Sequence, residues 1–270
     1  MKKITNVEFR KRSVDMLAYF TEYCEKNSIV FYMFYGSLIG TMRHQGFIPW
    51  DDDIDIMMPR PEYERLISLF NRQNSKYRIV SMHTDSSFTA PLAKVIDAET
   101  LLVQHYGYKE KVNLGIYIDI FILDSFPNEE SKRRLHMKKC MELMNKWSHA
   151  NHSFHYAGSS YFKDVFRSLY YLPVICRGTN HYLNEIDNNA KKFDYAVNHF
   201  VGNAVYPVYG YRDIHSKEDF QKHSFGMFEG IRVPIPSEYD SILTKIYGDW
   251  RKLPPLEQQK SHHDFDCYLI

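Results

Sequence analysis

Residues 51–58 read Asp-Asp-Asp-Ile-Asp-Ile-Met-Met, and this string restricts the fold more than any other stretch of the chain. Asp53 and Asp55 alternate with Ile54 and Ile56, a period of two that makes a strand with both carboxylates on one face. The run stays apolar through Met57 and Met58, so the strand is expected inside a core. Four carboxylates lie within five residues, Asp51 to Asp55. Like charges projecting from one face repel unless a proton or cation offsets them. Magnesium is the natural cation, because it takes hard oxygen ligands and commonly combines protein carboxylates with substrate phosphates. An EF-hand count puts Asp51, Asp53, Asp55 and Glu62 at positions one, three, five and twelve. It fails at position six, where Ile56 stands in place of the glycine that a calcium loop needs for its sharp turn. A charged turn opening a strand is the plainer alternative.

The preceding residues support a site. Ile29 to Tyr35 is an apolar, aromatic and β-branched run that reads as a buried strand. It runs into Gly36-Ser37, after which Leu38 to His44 can form a short helix. Backbone amides at a helix start, beside a glycine that permits close approach, make a phosphate-binding position. The Gly-Ser pair says little alone. Its weight comes from standing a helix and a turn before Asp53, which lets neighbouring strands set a phosphate clamp beside a metal clamp. A third carboxylate is then expected from an adjacent strand. Asp119, between Ile118 and Ile120 in the strand predicted over Gly115 to Leu123, would be a costly buried charge as a structural residue. As a metal ligand or general base it makes sense; Asp124 is the weaker candidate. Lys94, on a predicted strand from Leu92 to Ile96, is able to reach phosphate, although a lone lysine is more often solvated. Trp50 either walls the site or staples the turn, and Asp51 beside it is a further candidate substrate contact.

Elsewhere, Val14, Leu17, Phe20 and Cys24 predict an amphipathic first helix. Helices are also predicted over Pro61 to Phe70, Glu129 to Ala150 and Tyr239 to Tyr247, strands over Tyr77 to Met82 and Leu101 to Gln104, and a hairpin over Phe225 to Ile235. The fold class is α+β: a mixed sheet with flanking helices over residues 1–127, and a helical and hairpin extension over 128–270 packed on it. Phe162, Val165, Phe166 and Tyr170 share one helical face. That stripe is expected to pack on the core; the sharper alternative is that residues 161–175 meet lipid.

A net charge of +1 gives no field for nucleic acid. The four cysteines form no CxxC pair, which indicates neither a zinc knuckle nor a disulfide framework. Met1 to Asn6 runs into charged residues without an apolar signal core, and no stretch reaches the roughly 18 apolar residues of a membrane span. A cytoplasmic protein is expected, peripheral at the inner face of the membrane if 161–175 meets lipid.

Tyr35-Gly36-Ser37-Leu38-Ile39-Gly40, Arg43-His44 and Gly46 to Asp55 strongly resemble the LicD-type phosphocholine transferases of the nucleotidyltransferase superfamily, with fukutin-type alditol-phosphate transferases as distant relatives. Gly115 to Phe121 with Leu123-Asp124 resembles the third-acid strand of that family. Tyr247-Gly248-Asp249-Trp250, Leu253-Pro254-Pro255 and Ser261-His262-His263 resemble its C-terminal signature. Roughly residues 150 to 200 have no place in the pattern. The resemblance implies a nucleotidyltransferase-like fold and a CDP-alcohol donor such as CDP-choline. The implied acceptor is a sugar hydroxyl on a glycan or glycolipid, such as a lipooligosaccharide or teichoic acid, with CMP leaving. By position, Asp53 and Asp55 would hold magnesium, or manganese in its place. Gly36, Ser37 and Arg43 would bind donor phosphate, Asp119 would complete the metal site or take the acceptor proton, and His262 or His263 would contact substrate. The motif leaves open which phosphorus faces the acceptor. A true nucleotidyltransferase acting on a small molecule or protein, and a non-catalytic glycan-binding relative, are the competing readings.

Overall fold

The computed structural model describes residues 1–72, 76–104, 114–154, 160–260 and 265–270. Strand β1 (Lys2–Lys3) precedes helix α1 (Asn6–Lys26), whose start is capped by the Thr5 hydroxyl accepting from the Glu8 amide at 3.2 Å. The face predicted from Leu17, Phe20 and Cys24 is the buried one, joined by Met16 and half-buried Val14.

The run from Ile29 to Tyr35 departs from expectation. Only β2 (Tyr32–Met33) pairs as a strand, because Tyr35 has a φ of 44°. That left-handed backbone takes the chain out of the extended direction and into α2 (Tyr35–Ile39), which continues as a π-helical turn, Gly40–His44. The next elements are β3 (Asp55–Pro59), α3 (Arg60–Leu69), β4 (Tyr77–Val80), β5 (Ala93–Asp97), β6 (Thr100–Gln104) and β7 (Tyr117–Phe126). They follow the predicted order with ends shifted by a few residues. After them come α4 (Glu130–Asn151), α5 (Tyr161–Tyr170), α6 (Leu172–Arg177) and α7 (Thr179–Ala190). Strands β8 (Phe200–Asn203), β9 (Ile214–Ser216), β10 (His223–Phe228) and β11 (Ile231–Pro236), helix α8 (Tyr239–Tyr247) and β12 (Phe265–Leu269) complete the chain.

Seven strands form a mixed sheet in the order β2-β3-β7-β5-β4, with β8 on β7 and β9 on β8. Among the described strands of this sheet, β3 and β7 run parallel and the other pairs antiparallel. Strands β1, β12 and β6 make a small antiparallel sheet, and β10 with β11 makes the expected hairpin. The class is α+β. Among the described residues no helix is long and apolar enough to cross a membrane.

Helix α5 reverses the expectation that its apolar stripe faces the core. Tyr161, Phe162, Phe166, Leu169 and Tyr170 are exposed, and Asp164 is buried. The inward side is polar because Arg167 pairs with Asp164 at 3.2 Å and donates to the Phe154 carbonyl at 2.9 Å, fastening the helix by its charged residues.

His215, on β9, is a buried titratable group that packs edge-on to Phe34 and Phe220, with both ring centroids at 6.0 Å. Burial, aided by the charge of Lys245, pushes its pKa down to about 3. The folded chain therefore keeps His215 neutral where the unfolded chain, titrating near 6.5, takes up a proton. The stabilisation is complete above about pH 6.5 and is lost as the pH falls toward 3. Relative to a His215→Leu variant, wild type is expected to lose up to about 1.4 kcal/mol per pH unit below 6.5. Urea unfolding of both proteins at pH 7.5, 6 and 5 measures this, and a constant difference would show a protonated His215 in the fold.

Candidate active site

Strand register brings the predicted acids together. In the parallel β3–β7 pair Asp55 lies opposite Asp119, and in the antiparallel β5–β7 pair Lys94 lies opposite the same Asp119. The three side chains therefore stand in a row across neighbouring strands. Asp53, two residues before Asp55, falls on the same face. Carboxylate oxygens of Asp53, Asp55 and Asp119 all lie within 4.8 Å of one another.

The backbone around them is tied down. The Asp119 amide donates to the Ile54 carbonyl at 2.9 Å, and the Phe34 amide donates to the Asp55 carbonyl at 3.0 Å. The Ser37 hydroxyl accepts from the Asp55 amide at 2.8 Å, and the Thr41 hydroxyl donates to the Ser37 carbonyl at 2.7 Å. The Gly-Ser turn and the acidic strand are thus joined directly. Gly36 allows close approach to the acidic loop, since a Cβ there would sit 2.8 Å from Oδ2 of Asp51. Lys94 is buried, against the expectation of a solvated lysine. Its ammonium donates to Asp119 Oδ1 at 2.5 Å and sits 3.6 Å from the Tyr117 ring centroid.

Burial raises the Asp55 carboxyl well above the usual carboxylate range, and the charges of Asp53, Asp119 and Asp51 push it further, with Lys94 opposing. One ammonium beside three carboxylates leaves a surplus of negative charge where Asp119 is buried and Asp53 and Asp55 are half-buried. Hard oxygen donors converging from two strands and a loop fit a divalent cation.

The remaining predicted residues sit apart from this row or support it. Arg43 donates through Nη1 to the Trp250 carbonyl at 2.7 Å and the Lys252 carbonyl at 3.2 Å, and through Nε to His44 at 2.9 Å, so it joins the π-helical turn to the C-terminal segment. Trp50 and Asp51 line a cleft beside the acidic loop. His262 and His263 lie outside the described residues. Asp124 is bound through both oxygens to Arg60, at 2.6 and 3.0 Å, which makes it half of a buried ion pair.

Three supports had no sequence signal. Arg10, on α1, donates to the carbonyls of Pro49 and Asp51, each at 3.0 Å, and holds the acidic loop from forty residues away. Glu229, at the β10–β11 turn, accepts from the Phe47 amide at 3.1 Å and braces the other end of that loop. The Tyr35 hydroxyl donates to Asp213 at 2.9 Å and accepts from Asn203 at 3.1 Å, while burial raises Asp213 to about 6. This network fixes the left-handed residue that opens α2.

Known proteins bear on this geometry. The family model described as LicD/FKTN/FKRP, nucleotidyltransferase domain, matches residues 28–162, the span that holds Gly36, Ser37 and all three acids. The lipopolysaccharide cholinephosphotransferase LicD of Haemophilus influenzae is 29% identical over 278 positions, covering 100% of both chains. An uncharacterized protein of Rickettsia prowazekii, RP689, is 31% identical over 108 residues, 39% of this chain and 36% of its own.

Proposed function

This chain belongs to the LicD/FKTN/FKRP nucleotidyltransferase-domain family, and from that membership we propose that it transfers phosphocholine from CDP-choline to a saccharide hydroxyl of lipopolysaccharide, releasing CMP. A related phospho-alcohol on the same CDP carrier, or another surface glycan such as teichoic acid, fits the same chemistry. The observation that carries the reading is the convergence of Asp53, Asp55 and Asp119 within 4.8 Å.

Asp53, Asp55 and Asp119 would hold magnesium or manganese. When bound, the ion offsets charge on the donor diphosphate and on the departing CMP. The acceptor oxygen forms a bond to the phosphorus bearing choline as the bond from that phosphorus to CMP breaks, and the acceptor proton passes to Asp119 or solvent. Ser37 keeps Asp55 in register through its amide, and Lys94 orients Asp119. The amides of Gly36 and Ser37, with Arg43, are assigned to donor phosphate. Residues 1–127 carry the catalytic groups, and 128–270, packed on them, add further acceptor and donor contacts. Mass spectrometry of lipooligosaccharide incubated with enzyme, magnesium and CDP-choline tests the assignment. A gain of one phosphocholine is expected; a gain of one CMP would identify a nucleotidyltransferase instead.

The same reading locates the protein in the cytoplasm at the inner membrane face, with residues 161–175 touching lipid. The exposed ring of Phe162, Phe166, Leu169 and Tyr170, carried outward by α5, supports it. Burying a phenylalanine is worth about 1.5–3 kcal/mol. Phe162→Glu with Phe166→Glu should then weaken liposome flotation at least about tenfold, and unchanged flotation would remove this face from the assignment.

A further inference from the structure

A cleft of about 380 Å³ opens beside the acidic loop, between the start of α1 and Gln259, Lys260 and Phe265. Asn6, Arg10, Trp50, Asp52, Gln259 and Lys260 are among its walls. Trp147 and Trp250 are buried, whereas Trp50 is half-buried and lines this cleft. Its loop is held in place by Arg10, whose guanidinium bonds to the carbonyls on either side of Trp50 and lies 5.2 Å from the Phe47 ring centroid. Gln259 is also fixed, its amide donating to the Pro254 carbonyl at 2.8 Å. The cleft is therefore a built concavity lined by the aromatic residues Trp50, Phe9 and Phe265 and by carboxylate, carboxamide and cationic groups.

That lining discriminates between the two substrates. A diphosphate entering here would meet the carboxylates of Asp51 and Asp52 along with the cations Arg10 and Lys260, a lining with no net positive charge to favour it. Sugar hydroxyls suit the same groups: they donate to carboxylates and accept from Arg10, Lys260 and carboxamide N–H groups. The C–H face of a pyranose ring packs on an indole, burying apolar area without a charge requirement. The cleft also adjoins the acid row, because Asp51 lines it and closely approaches Gly36 in the turn that holds Asp55.

We propose that this cleft seats the acceptor saccharide, with Trp50 as stacking platform and Asn6, Asp52 and Gln259 as hydroxyl partners. The assignment rests on the transferase reading for the word acceptor; the saccharide site itself is testable without turnover. The probes are lipid-free core oligosaccharide from a lipooligosaccharide, CMP and CDP-choline, each titrated while tryptophan emission is followed. A saturable change with the oligosaccharide is expected, absent in Trp50→Phe and requiring at least about tenfold more ligand in Gln259→Ala and Asn6→Ala. In turnover, those two variants should raise KM for lipooligosaccharide by a similar factor and move KM for CDP-choline less than about twofold. Loss of oligosaccharide binding in Gln259→Ala sustains the site even if CDP-choline proves not to be the donor. A response to CMP in place of the oligosaccharide would make the cleft a nucleoside site and overturn the proposal. Unaltered oligosaccharide binding in both Gln259→Ala and Trp50→Phe would overturn it as well.

Discussion

Replacing Asp55 with asparagine is expected to lower turnover by about three orders of magnitude while leaving the metal-free fold at least as stable as wild type. The activity loss follows from removing one of three converging oxygen ligands, since a bound cation supplies several kcal/mol of transition-state stabilisation. The unchanged or raised stability follows from charge. Asp55 is held among Asp53, Asp119 and Asp51, and its folded carboxyl is displaced toward the protonated form. An amide of the same shape removes that repulsion and keeps the backbone bond from its N–H to Ser37. Steady-state assays, with thermal midpoints in chelator and in magnesium, give both halves of the result. Wild type should gain stability on adding magnesium, and Asp55→Asn should gain little. A variant retaining more than a tenth of wild-type turnover would refute the role given to the acid row.

The second large effect lies at the other end of β7. Arg60→Met leaves Asp124, 1% exposed, without its bidentate partner and takes one of the cations from Asp187. Breaking a buried pair by removing one member costs about 3–5 kcal/mol, because the surviving charge stays desolvated. At roughly 2–4 °C of midpoint per kcal/mol for a chain of this size, the variant should melt about 10 °C below wild type. Arg60→Met combined with Asp124→Leu should recover much of the loss, since two apolar groups carry no stranded charge. Calorimetry of the three proteins measures it, and a double variant no better than the single would mean that the pair contributes through its bonds to Asp187 instead.

The acid row was legible in sequence because two of its members carry a pattern. Asp53 and Asp55 alternate with isoleucines, and Asp119 is an ion in an apolar strand, so period and polarity sufficed. Lys94 carries no such pattern. Its burial appears only when register sets it opposite Asp119, and register between strands separated in sequence is not written in either one. Asp124 shows the converse. It read as a spare acid because its partner Arg60 stands at a helix start, where an arginine is ordinarily solvated. The strands after residue 128 that the sequence did not predict, β8, β9 and β12, are short and mixed in polarity, and they owe their place to neighbours already present in the sheets. Helix α5 misled for a related reason: periodicity reveals that a face exists, and the anchoring of Arg167 decides which way it turns.

The parallel pairing of β3 with β7, the one such pair among the described residues, also bears on how the acid cluster is assembled. Hairpins close early, over short stretches of chain, whereas this pair waits for a long intervening segment to be laid down and folded. A growing or locally melted polypeptide displays Asp53 and Asp55 with no Asp119 opposite them. The three-acid cluster therefore exists only where β3 and β7 are paired, and neither strand alone assembles it.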